Sequence, residues 1–141
     1  MAEKRHDVTS NPKLIDWILY NLHNMRQQIK ELEPKSSTSI VVFTRNATRN
    51  NTSGVERVAL KRAALSSVVD MVELGLRALH PEQRKIYRMK YRAGMTYKEI
   101  GQRLYVSDKT VERRVEETRA IIGQYLASVD QENLMEFMRF F

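Results

Sequence analysis

Apolar residues recur along most of this chain at intervals of three and four, the spacing of helices that bury one face. Met1 to Ser10 is polar. Asn11-Pro12 then makes a start signal, with Asn as cap and Pro in the first turn. Leu14, Ile18, Leu22, Met25, Ile29 and Leu32 follow, Ile15 and Trp17 widen the stripe, and Pro34 ends it, which predicts one helix over about 12–33. Ser, Thr and Asn dominate residues 34–54, broken only by Ile40-Val41-Val42-Phe43, so this stretch is read as a mobile loop. Arg45 and Arg49 in it are either phosphate contacts or part of a solvated surface.

The period returns at Val55, Val58, Arg62, Leu65, Val69, Val72, Leu76 and Leu79, with steps of 3, 4, 3, 4, 3, 4 and 3. This heptad seam predicts a second helix over about 55–79. Its partner is either the 12–33 helix folded back against it or the same helix of a second subunit. The second choice makes Val58, Leu65, Val69, Val72 and Leu76 the oligomerisation residues. Arg62 is the charged position on the seam, and burying it requires a carboxylate.

His80-Pro81 opens a short helix that runs to Arg92 and stops at Ala93-Gly94. Tyr97, Ile100 and Leu104 form another short stripe. Tyr105-Val106 interrupts it, and Ser107 starts a run with Val111, Val115, Thr118 and Ile122 on one face. Two short amphipathic helices joined tightly predict a helix-turn-helix. Ser107 suits the N-cap and Asp108 the positive end of the helix dipole. With Val111 and Val115 turned inward, Asp108, Lys109, Glu112 and Arg113 fall on the outer face of the first two turns, where a recognition helix meets base edges. The preceding helix presents Arg84, Lys85 and Arg88 as phosphate-contact candidates. Ile121, Tyr125, Leu126 and Val129 prolong the apolar face toward Asp130. A last helix then carries Leu134, Met135, Phe137, Met138, Phe140 and Phe141, too apolar to stay in water and expected to pack on the core or join a dimer contact rather than dock on polymerase. The expected fold is therefore all-α, with an N-terminal long-helix pair (1–79), a helix-turn-helix domain (80–129) and a C-terminal amphipathic helix (130–141).

Charge strengthens this reading. The formal net charge is +7 over 141 residues, and residues 80–129 hold eleven basic against six acidic side chains, so the excess lies with the helix-turn-helix. A polyanion such as DNA is the natural partner. Cysteine is absent, so no disulfide framework is possible. With no apolar run near the ~20 residues of a membrane span and no signal-peptide core, a cytoplasmic protein is expected. The three histidines, His6, His23 and His80, are scattered, and no glycine-rich phosphate loop exists, so neither enzymatic activity, nor a cofactor, nor a metal is expected.

Leu79-His-Pro-Glu-Gln-Arg-Lys-Ile, Tyr91, Gly94-Met-Thr-Tyr-Lys-Glu-Ile-Gly-Gln-Arg-Leu and Val106-Ser-Asp-Lys-Thr-Val-Glu-Arg-Arg-Val together resemble region 4 of the sigma-70 family, which reads the promoter −35 element. LuxR-type output domains share part of the pattern, while Tyr97 and the arginine pair after Val111 favour the sigma-like version. The resemblance implies base contacts from Asp108, Lys109, Glu112 and Arg113, and phosphate contacts from Thr96, Lys98, Arg103, Ser107, Thr110 and Arg114. The 78 residues before Leu79 do not supply a sigma factor's melting and −10-reading regions. Two helices ahead of such a domain instead resemble small phage and prophage late-gene regulators of the ArpU and RinA type. That resemblance implies a regulator that binds double-stranded DNA at a phage promoter and switches on packaging, structural or lysis genes with host RNA polymerase in the bacterial cytoplasm. Pairing through the heptad helix, as DNA readers pair on half-sites, makes a homodimer the expected state. Two other readings stay open: a phage small terminase subunit, which would form rings, and a sigma-like factor that grips polymerase and barely touches DNA.

Overall fold

Asn11 begins the first helix through the cap its sequence predicts. Its side-chain oxygen accepts the amide of Lys13 at 2.9 Å, and Pro12 occupies the first turn of α1 (Pro12–Tyr20). In the computed structural model, which describes residues 8–33 and 52–140, every regular element is helical. The loop reading for residues 34–51 and the readings made for Arg45, Arg49 and Phe141 lie outside the described residues.

The single helix expected over 12–33 is two. At Asn21 the backbone opens to φ −105° and ψ 9°, and α2 (Leu22–Leu32) starts afresh. The cause is local: the Asn21 side-chain amide donates to the Trp17 carbonyl at 2.8 Å, and its backbone N–H is shared between Trp17 and Ile18. An Asn that hydrogen-bonds its own backbone competes with the helical ladder, a cost the apolar stripe alone does not reveal. The second long helix, α3, runs Thr52–Arg77, starting three residues before the expected Val55.

After α3 come α4 (Pro81–Tyr87), one π-helical turn (Arg88–Arg92), α5 (Tyr97–Leu104), α6 (Asp108–Leu126) and α7 (Gln131–Phe140). The π turn is closed by the Ala93 amide on the Arg88 carbonyl at 2.9 Å. Gly94 follows at φ 69°, the left-handed region glycine enters at least cost.

Among the described residues two compact units separate, Met1–Leu22 with Met71–Ser128 and His23–Asp70 with Val129–Phe141. They cut across the division expected at residues 79 and 129: α1 belongs with the helix-turn-helix, and α7 with α2 and the first part of α3. The first unit is built round Ile86, Met89, Ile100, Val111 and Val115, with Met95, Tyr97, Leu104 and Val106 packed on them. In the second, Met25, Leu65, Val68, Leu134 and Phe137 are buried, so α7 does pack its apolar face, although Met135 and Met138 stay exposed. Arg62 finds the carboxylate its place on the seam requires, Glu33 at 3.1 Å.

Candidate nucleic-acid interface

The helix-turn-helix is made by capping at three places. Thr96 caps α5 with a reciprocal box: its hydroxyl accepts the Glu99 amide at 3.1 Å, and the Glu99 carboxylate accepts the Thr96 amide at 3.2 Å. Ser107 caps α6 as expected, its hydroxyl accepting the Thr110 amide at 3.1 Å. Between them the chain turns at Tyr105, the one non-glycine with positive φ among the described residues (φ 58°, ψ 41°). A left-handed conformation costs such a residue roughly 1–2 kcal/mol. Among the described residues its exposed side chain makes no hydrogen bond or ring contact to offset that.

Gly101 makes the turn possible from the other side. A Cβ there would sit 2.7 Å from the Val106 carbonyl oxygen, a backbone atom that yields only if the turn itself shifts. The Gly101 carbonyl also accepts the Val106 amide at 2.9 Å, closing the end of α5.

With Val111 and Val115 buried, α6 turns Asp108, Lys109, Glu112 and Arg113 to solvent over its first two turns, the face expected from the sequence. Lys109, Glu112, Arg113 and Glu116 line a shallow depression on that face. Among the described residues none of these first four side chains is held in an ion pair. They are available to a groove edge.

The expected phosphate contacts divide into two groups. Lys85, Arg88, Lys98 and Arg103 are exposed and take part in no side-chain hydrogen bond or ion pair among the described residues. The others have work inside the chain. Arg84 donates to the carbonyls of Arg77 at 3.0 Å and Leu79 at 3.1 Å, closing the end of α3. Arg114 pairs with Glu117 at 3.2 Å and Glu82 at 3.4 Å. Thr96, Ser107 and Thr110 are occupied by capping, since the Ser107 and Thr110 hydroxyls also meet at 3.0 Å. The spacing of a motif places residues on a face; only their neighbours decide whether a cation there has already been claimed.

Two networks hold α6 in place, and the sequence reading missed both. Gln83, buried in α4, accepts the His80 amide at 3.0 Å and donates to Glu117 at 3.1 Å, so one side chain caps α4 and ties it to α6. The Gln83 hydrogen bond, followed by the Arg114 contact, keeps the Glu117 carboxyl below its ordinary value against the effect of burial. The second network starts on α1. Asp16 takes a forked pair of bonds from Arg119, Nε to Oδ1 at 2.9 Å and Nη2 to Oδ2 at 2.8 Å, while the Tyr91 hydroxyl donates to Oδ1 at 2.5 Å. Burial by itself would raise the Asp16 carboxyl; the bonds from Arg119 and Tyr91 and the Arg119 charge outweigh it and hold the group below 3.8. Burial and the Asp16 contact push the Tyr91 phenol up. Beside this network the Lys90 ammonium lies 5.0 to 5.4 Å from the ring centres of Tyr20, Tyr91 and Tyr97 and donates to the Tyr20 hydroxyl at 3.0 Å. Asp16 and Arg119 stand 103 positions apart, so no local pattern reports the pair. The Thr96-x-x-Glu99 box, by contrast, was readable as a capping signature.

Of the five expected oligomerisation positions, Leu65, Val69 and Val72 are buried in the single chain, Leu76 is half-buried and Val58 is exposed. The heptad seam is therefore spent largely on the chain's own core. Among the described residues there is no group of three or more His, Cys, Asp or Glu placed to hold a metal, and no helix is long and apolar enough to cross a membrane.

Residues 70–122 match the family model for sigma-70, region 4. No curated protein and no solved structure matches the chain. The matched span takes in the end of α3, α4, the π turn, α5 and most of α6, hence both capped helices and the turn between them. Residues 70–122 are thus a sigma-70 region 4-like helix-turn-helix, a DNA-binding module of the kind that regulates transcription.

Proposed function

We propose that the protein is a sequence-specific transcription regulator that reads duplex DNA with the first two turns of α6. The observation that carries this is the unpaired set Asp108, Lys109, Glu112 and Arg113 on a Ser-capped helix whose opposite face is buried. Arg113 and Lys109 have the donors for guanine in the major groove, and Glu112 is an acceptor for the cytosine amino group. Lys85, Arg88, Lys98 and Arg103 supply charge to the flanking phosphates. The protein recognises and recruits without catalysing a reaction.

The finer reading is a phage or prophage late-gene activator of the ArpU and RinA type, acting with host RNA polymerase in the bacterial cytoplasm. Its support is the placing of a helical N-terminal part ahead of a sigma-70 region 4-like reader. Two copies on paired half-sites complete the proposal. With Leu65, Val69 and Val72 consumed inside the chain, the contact between copies falls to side chains still exposed, Val58, Leu60, Met135 and Met138.

Footprinting on the DNA that flanks its own gene, with and without polymerase and at two salt concentrations, tests all three statements. A protected repeat spaced for two recognition helices is the expected result. No protection even at low salt overturns the regulator reading. Protection that needs polymerase turns it into a polymerase-bound factor, and a ring of eight or more subunits by mass measurement turns it into a packaging component.

A further inference from the structure

We propose that Tyr105 is a contact to the DNA backbone, with its ring against the sugar and its hydroxyl donating to a phosphate beside the groove that α6 enters. The inference rests on the reading of α6 as the DNA reader. Three observations carry it. Tyr105 holds the turn between α5 and α6 in the left-handed region, where glycine or asparagine sits with less strain. Tyr105 is 94% exposed, whereas the other exposed large apolar residues among those described range from 39% to 65%. Among the described residues its side chain makes no hydrogen bond or ring contact that repays its presence. The turn itself needs only the backbone of Tyr105, whose amide donates to the Gly101 carbonyl.

The surroundings indicate which partner the ring meets. In sequence the turn is flanked by the exposed polar residues Gln102, Arg103, Ser107, Asp108 and Lys109, while its apolar neighbours Leu104 and Val106 are half-buried against the core of the unit. On the two helices the turn joins, the unpaired cations Lys98, Arg103, Lys109 and Arg113 outnumber Asp108, Glu112 and Glu116, the carboxylates without an ion pair among the described residues, and the Glu99 carboxylate is occupied by the Thr96 cap. A polyanion meets this combination well, and a phenol hydroxyl is an ordinary neutral donor to phosphate oxygen.

The test compares the wild-type chain with Tyr105→Gly, Tyr105→Asn and Tyr105→Phe. Thermal melting is measured alongside binding to a labelled duplex of random sequence over a range of salt. The Gly and Asn variants are expected to melt no lower than wild type and to bind about 3- to 10-fold more weakly, the loss of one neutral hydrogen bond together with the ring's contact to the sugar. Tyr105→Phe should fall between. The slope of affinity against salt should not change in any of them, because an uncharged side chain releases no counterion. If the Gly and Asn variants bind the duplex as wild type does, the proposal is overturned. If they keep DNA affinity but lose capture of RNA polymerase, the ring is a protein contact instead. A wild-type chain that fails to bind the duplex at low salt removes the reading of α6 itself, an outcome distinct from failure of Tyr105 alone.

Discussion

Arg119, two turns beyond the exposed reading face of α6, grips Asp16 of α1 through two parallel hydrogen bonds of 2.9 and 2.8 Å. Both side chains are mostly covered, and the Tyr91 hydroxyl binds the same carboxylate from the π turn. A forked arginine–carboxylate pair fixes direction as well as distance. The N-terminal helix is thereby made part of the reader's support.

Asp16→Asn should lower stability by about 1–2 kcal/mol at neutral pH, a figure reduced because water still reaches the pair. The folded carboxyl titrates below its ordinary 3.8, so the contribution is fully present above that value. As pH falls below 3.8 the unfolded chain takes up the proton first, and the advantage shrinks until the folded carboxyl is protonated too. Denaturant melts of both chains at neutral pH and across the range below pH 4 should show two curves that converge in acid. A gap independent of pH would show that the charge of Asp16 contributes nothing.

Arg113→Ala should cost about 1–3 kcal/mol on a selected DNA site and relax the preference at one base pair. Arg88→Ala should instead weaken every sequence alike and reduce the salt slope by about one counterion. Titrations on selected and random duplexes separate the two. Equal losses from both mutants on both DNAs would show that the roles are wrongly divided.

Lys98→Ala and Arg114→Ala offer a sharper contrast, because the two residues share an expected role but differ in their neighbours. Lys98 is unpaired, whereas Arg114 is engaged by Glu82 and Glu117. Salt titration should give a shallower slope for Lys98→Ala and an unchanged one for Arg114→Ala. A shallower slope for Arg114→Ala would mean that it leaves its carboxylates for the phosphate.

Gly101→Ala should destabilise the helix-turn-helix by about 1–3 kcal/mol, the usual cost of forcing an atom into filled space. Its Cβ would meet the Val106 carbonyl at 2.7 Å, and relief requires the turn to move. A melt shows the loss of stability. Weaker DNA binding at a temperature where the variant is still folded shows that the turn sets the angle of α6. Unchanged melting and binding would mean that the turn has slack.

The sequence by itself determined the elements and the reading face. Helical spacing, Pro12, Pro81, Gly94 and the Ser107 cap are local signals, and a side chain's position on a helix follows from its number, so Asp108, Lys109, Glu112 and Arg113 emerge on one exposed face without any knowledge of packing. Tertiary structure decided what each face meets. α1 joined the reader through Asp16 and Arg119, and Arg114 was drawn to Glu82 of α4. The seam of Leu65, Val69 and Val72 went into the chain's own core. Periodicity reports that a face is apolar or charged; the partner is chosen by residues distant in sequence, and only their arrangement in space brings them together.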